Sequence, residues 1–138
     1  MKIGELAKRS GLSIHTLRYY EKMGLLNASG RTESNYRVYS HDDLIAAQFI
    51  TRCKNSGFSL KETTALLTIK DDKSNHICEE AKSITSQKID DITQQIEQLT
   101  EMRETLKALE QFCCGGDESA EFCSIISALE KEPENDAA

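Results

Sequence analysis

The chain has 138 residues and a formal charge of −6, a length that suits one ordinary domain or a small domain with an appendage. No apolar run reads as a signal peptide or spans a bilayer, so the expectation is a cytoplasmic protein without a membrane partner. Five cysteines in a reducing compartment point to metal ligation or redox chemistry before structural disulfides, and an odd number does not suit a closed disulfide framework.

The charge is unevenly spread. Residues 1–70 carry 11 Lys/Arg against 6 Asp/Glu, a balance of +5, and residues 71–138 carry 6 against 17, a balance of −11. A basic N-terminal half on an acidic chain hints at nucleic-acid binding there, although an ordinary solvated surface accounts for the charge equally well.

Residues 1–70 read as a first domain of several short elements. "IGELAKRS" places Ile3, Leu6 and Ala7 on one helical face. "GLS" makes a turn, with Ser13 as the N-cap of a second helix through "IHTLRYYEKMGLL". Two short helices about a glycine-containing turn form either a plain helical hairpin or a helix-turn-helix, whose second helix enters the DNA major groove. In the second case Ile14 and Leu17 point inward, and Ser13, His15, Thr16, Arg18 and Tyr19 face the nucleic acid. "GRTESNYRVYS" then breaks the helical period. It reads as a hairpin wing that presents Arg31, Asn35, Tyr36 and Arg37, basic and aromatic residues suited to a DNA backbone. Ser40 with Asp43, and Ser59 with Glu62, have the spacing of capping boxes that open two further helices. Cys53 lies in the apolar-periodic "LIAAQFITRC" and reads as a buried hydrophobe.

Residues 71–112 form a second segment. From Ile77 to Phe112 there is neither glycine nor proline, and Ile89, Ile92, Ile96, Leu99, Met102, Leu106 and Leu109 recur at spacings of three and four. This narrow seam predicts a long coiled-coil helix that pairs with a second copy, with packing inside one chain as the alternative. Residues 113–138 are the third segment: the loop "CCGGDESAEFC", a short amphipathic stretch "SIISALE", and a polar tail expected to be frayed.

Three thiols, Cys113, Cys114 and Cys123, share that loop, and Cys78 opens the long helix. A rise of ~1.5 Å per residue puts Cys78 and Cys113 about 50 Å apart along one helix. A metal site shared by all four therefore requires an antiparallel dimer, in which the start of one helix lies beside the end of the other. Three or four thiolates suit Zn(II), and also Cd(II), Pb(II) or Hg(II); Cu(I) is content with two. A redox switch at Cys113–Cys114, or inert thiols, are the alternatives. Gly115 and Gly116 let the backbone fold around an ion. His76, two residues before Cys78, is either an auxiliary ligand or a surface residue. No glycine-rich phosphate loop or nucleophile–base pattern is present, so no enzyme reading survives.

The stretches "IGELAKRSGLSIHTLRYYEKMGLL", "NYRVYS" and "GFSL", followed by a long helix and a terminal cysteine loop, together resemble the MerR family of bacterial transcription activators. "HICEEAK" and "CCGG" with "FCSIISALE" are most similar to its zinc-responsive branch. The resemblance implies a mainly α fold: a winged helix-turn-helix, a long antiparallel dimerisation helix and a C-terminal metal-binding loop. It implies a homodimer that binds double-stranded promoter DNA with an overlong spacer. On binding metal, the dimer distorts that DNA so that RNA polymerase can use it, by indirect readout. The expected target is a metal-efflux gene. Cys78, Cys113, Cys114 and Cys123 match the family's metal ligands. The zinc branch has a histidine in the loop where this chain has Glu118, which leaves a second bridged ion, and the identity of the metal, open.

Overall fold

The computed structural model describes residues 1–131. They form two compact units, one from Met1 to Lys88 and one beginning at Ile89. Among the described residues no helix is long and apolar enough to cross a membrane.

The first unit opens with α1 (Ile3–Ser10) and α2 (Ile14–Lys22). Gly11, at φ 77°, stops α1 in the left-handed conformation that glycine adopts without a Cβ penalty. Ser13 then caps α2 by accepting from the Thr16 backbone N–H at 3.0 Å. Gly24, at φ 82°, turns the chain after α2. A two-stranded wing follows, β1 (Gly30–Arg31) antiparallel to β2 (Arg37–Val38), with Gly30 opposite Val38 and Arg31 opposite Arg37. The alternation in "YRVY" is that of a four-residue strand, but only Arg37 and Val38 of it pair in β2. Tyr39 leaves the ribbon for the core, where it is 1% exposed, and its backbone pairs instead with Met1, whose carbonyl accepts from the Tyr39 N–H at 2.7 Å.

Both expected capping boxes are present. Ser40 and Asp43 open α3 (His41–Asn55), and Ser59 and Glu62 open α4 (Leu60–Asp71). α3 packs on α1 and on α4, and α1 on α2. The shared core contains Leu6, Leu17, Tyr20, Leu26, Tyr39, Leu44, Ala47, Ile50 and Leu67. Leu17 is buried as the helical period requires, but Ile14 is half-exposed, and Tyr20 takes the second inward place on α2. Cys53 is buried.

A single 3-10 turn at Lys73–Asn75 precedes α5 (Cys78–Glu110). The start of α5 is tied to α4 by an ion pair, Lys88 Nζ to Glu62 Oε1 at 2.8 Å. The same Glu62 carboxylate accepts from the Ser59 N–H at 2.7 Å. The Lys88 ammonium, and then the Ser59 N–H, pull the Glu62 carboxyl down to about 2.

In the second unit, α5 continues to Glu110, and a 3-10 turn (Ala120–Phe122) leads into α6 (Ser124–Glu130). Five of the seven seam residues of α5 are exposed, Ile89, Ile96, Leu99, Met102 and Leu106 at 58–64%, and Ile92 and Leu109 are half-buried.

Candidate nucleic-acid interface and thiol cluster

α2 and the wing carry the residues proposed from sequence as a DNA-binding face. His15, Arg18 and Tyr19 are exposed on α2. Ser13 and Thr16 are occupied with each other, since the Ser13 hydroxyl donates to Thr16 Oγ1 at 2.8 Å while capping the helix. Their first task is thus to start α2, which fixes where the other three side chains emerge.

In the wing, Arg31 Nη1 donates to Asn35 Oδ1 at 3.2 Å across the hairpin. Asn35 turns the chain at φ 65°, a left-handed conformation that asparagine tolerates better than most residues. Arg37 Nη1 meets Glu21 Oε2 at 2.5 Å, and the Tyr39 hydroxyl donates to the other oxygen of the same carboxylate. Burial, and then the Glu21 acceptor, push the Tyr39 phenol up to about 12.

Arg18 of α2 and Arg31, Asn35, Tyr36 and Arg37 of the wing line one depression of about 330 Å³. Lys2 lines it too, and its ammonium lies 5.5 Å from the centre of the Tyr36 ring, within cation–π range. Four cationic side chains from three separate segments thus converge where a phosphate-bearing ligand would find charge and hydrogen-bond donors together. Local sequence gives no sign that Lys2 belongs to this group. It arrives there because Met1 pairs with Tyr39, a contact 38 positions apart in sequence.

The second group is the thiol loop. Cys113, Cys114 and Cys123 line a depression of about 460 Å³, with Glu118 and Ser119 on its rim. Gly115 takes φ 77°, so the chain reverses directly after the paired cysteines, and the Gly115 N–H donates to Cys113 Sγ at 3.5 Å. The backbone N–H groups of Ile126 and Ile125, at the start of α6, hold the Cys123 thiol below its ordinary value, and a hydrogen bond with Cys113 adds to them. Cys113 and Cys123 are therefore neighbours, whereas Cys114 is exposed and lies toward Gly116.

Cys78 is exposed at the other end of α5. Two residues before it, His76 Nδ1 lies 3.0 Å from Glu80 Oε1, and the same carboxylate accepts from the Ile77 N–H at 2.7 Å. These two partners, His76 first, hold the Glu80 carboxyl below the usual range. His76 is thereby tied into the cap of α5. Among the described residues, no three or more His, Cys, Asp or Glu side chains of this one chain are arranged to hold an ion. The loop offers soft donors, of the chemistry that suits thiophilic ions.

The profile of the MerR family regulatory protein matches residues 2–39, and that of the MerR DNA-binding region matches residues 46–109. The chain is 38% identical over 130 residues to the HTH-type transcriptional regulator ZntR of Escherichia coli, covering 94% of this chain and 92% of that one. The chain belongs to the MerR family. As a MerR-family protein it is a DNA-binding transcription regulator and not an enzyme. Its fold is shared with a lead(II)-bound transcription regulator from Ralstonia metallidurans, at a TM-score of 0.83 and 29% identity over 94% of this chain and 98% of that one. It is also similar to a mercury(II)-bound MerR regulator from Bacillus megaterium, at a TM-score of 0.66 and 32% identity over 95% of this chain and all of that one.

Proposed function

We propose that this MerR-family metal-responsive transcription regulator works as a cytoplasmic homodimer that Zn(II) switches on. On this reading the first 70 residues are the DNA-binding domain, residues 71–112 the dimerisation helix, and residues 113–138 the sensor segment, whose residues 132–138 lie outside the described residues. His15, Arg18 and Tyr19 meet the major groove, with Ser13 and Thr16 at the helix start. Arg31, Asn35, Tyr36 and Arg37 hold the flanking backbone. The metal is held by Cys113, Cys114 and Cys123 of one subunit and the partner's Cys78.

One observation carries the cross-subunit site. The thiol that sequence reasoning groups with the loop opens α5, and the loop follows the end of the same 33-residue helix. A uniform α-helix of that length is about 50 Å long, far beyond any metal–thiolate bond. An antiparallel partner removes the difficulty, and the bare seam of α5 supplies the surface for one. When bound, Zn(II) supplies a four-coordinate link between thiolates of two subunits. The chain's own residues do the rest. The seam keeps the subunits paired, the Lys88–Glu62 pair fastens the start of α5 to α4, and the DNA-binding faces untwist and bend the promoter for RNA polymerase. The target is a metal-efflux gene.

A second reading keeps the site and changes the metal to Cd(II), Pb(II) or Hg(II). It is favoured by the all-thiol donor set and by the lead- and mercury-bound relatives. Mixing two defective subunits tests the site. Cys78→Ser leaves a loop intact, and Cys114→Ser with Cys123→Ser leaves Cys78 intact. Each homodimer is expected to bind DNA without responding to metal. The mixed dimer rebuilds one complete site of two, measured by competition with a chromophoric chelator under anaerobic, reducing conditions. No recovery on mixing means that all ligands come from one chain. Repeating the titration across the four metals ranks them, and a response that needs an oxidant instead assigns a thiol redox regulator.

A further inference from the structure

Glu21 stands in the last turn of α2, within "RYYE", and its side chain is only 10% exposed. A carboxylate held that far from water needs compensating partners. Both of those the structure shows come from the wing side: Arg37 Nη1 at 2.5 Å and the Tyr39 hydroxyl. Tyr39 is buried in the core, so one end of this three-residue joint is fixed. The other end is Arg37, whose side chain is 46% exposed and borders the cationic depression with Lys2, Arg18 and Arg31. A guanidinium has five N–H donors in a rigid plane. Engaging one edge with Glu21 leaves the others for a second acceptor and fixes the plane in which they lie.

We propose that Glu21 is the positioning residue that aims Arg37 at a DNA backbone phosphate. An acidic side chain on the DNA-binding unit then strengthens DNA binding. This rests on reading Arg37 as a phosphate contact. The reason is pre-organisation: a free arginine loses rotamer freedom when a phosphate captures it, whereas one already held by a buried carboxylate has little left to lose.

The sign of one substitution separates this from plain electrostatics. Removing a negative charge near a polyanion tightens binding when charge alone matters. Positioning requires the opposite. Glu21→Gln keeps the shape and an acceptor for Tyr39 but abolishes the ion pair. The full-length reduced chain is titrated onto a labelled duplex that the wild type selects from a random library, over a series of KCl concentrations. Glu21→Gln is expected to weaken binding about tenfold, roughly threefold from each subunit of a dimer, and to flatten the salt slope. In an Arg37→Ala background the same change is expected to have no further effect, which a merely structural role would not produce. Circular-dichroism melts confirm that the Gln variant is folded; Glu21→Ala is run beside it as the complete deletion. Tighter or unchanged binding by Glu21→Gln, or an equal loss in both backgrounds, overturns the proposal while leaving Arg37 as a contact. Unchanged affinity and slope in Arg37→Ala alone overturns the contact itself, and the proposal with it.

Discussion

Leu99 lies in the middle of the uncovered seam and is 64% exposed in the single chain. Fully burying a leucine side chain is worth about 1.5–3 kcal/mol. About two thirds of that, roughly 1–2 kcal/mol, is thus still to be gained when a partner covers the residue. In a two-fold dimer each seam position occurs twice, so Leu99→Ala is expected to cost about 2–4 kcal/mol of dimerisation free energy, before any cavity penalty. That is a rise in the dimer dissociation constant of about 30-fold to 1000-fold. Leu99→Asp goes further, because it takes a carboxylate into a dry interface without a partner. Sedimentation equilibrium over a dilution series reads the constant directly. Urea melts at one concentration separate dimer loss from unfolding of the first unit, whose core does not include Leu99. A dissociation constant for Leu99→Ala within about threefold of wild type, less than ~0.7 kcal/mol, refutes the assignment of this seam as the dimer interface.

Lys2→Ala and Arg18→Ala are each expected to weaken DNA binding across unrelated sequences and to lower the salt slope by about one for every phosphate no longer neutralised; unchanged salt slopes count against the cationic depression as a backbone site. The Glu62–Lys88 pair gives a pH dependence of known sign. The folded carboxyl sits at about 2 against an ordinary 4.5, so its stabilisation is present above pH 4.5 and lost as the pH falls toward 2. Glu62→Gln is expected to lower denaturant stability at pH 6, with the gap from wild type closing between pH 4.5 and 2; a gap that stays constant across that range rules the ion pair out as its source.

Local grammar makes most of the first unit legible. Ser13, Ser40 and Ser59 announce three helix starts through their own side chains and residues three positions on, so the signal lies within one helical turn. The long helix is equally local, a run without breakers. What the sequence hides depends on distant segments. Nothing near Lys2 says that Met1 will pair with Tyr39, and nothing in "RYYE" says that its carboxylate will meet Arg37 sixteen positions later. Helical period places Ile14 inward as readily as Tyr20, and the choice is made by the elements packed against α2. The 3-10 turn before α5 is three residues long, too short to carry a periodicity of its own. For the thiols, composition suggests the metal chemistry, and the length of α5 carries the argument for a second subunit.

The burial of Cys53 sorts the five thiols into two chemical populations. Cys53 is 7% exposed and its thiol is pushed up by desolvation; the other four are exposed or half-exposed. A thiol-directed alkylating reagent reacts with accessible thiolate. The native chain therefore offers four early targets and one late one, and the late one becomes available only when the α3 core opens. Mass spectrometry of timed alkylation then reads two quantities from one sample: whether added metal protects the four, as the proposed site requires, and, through labelling of the fifth, an internal clock of unfolding.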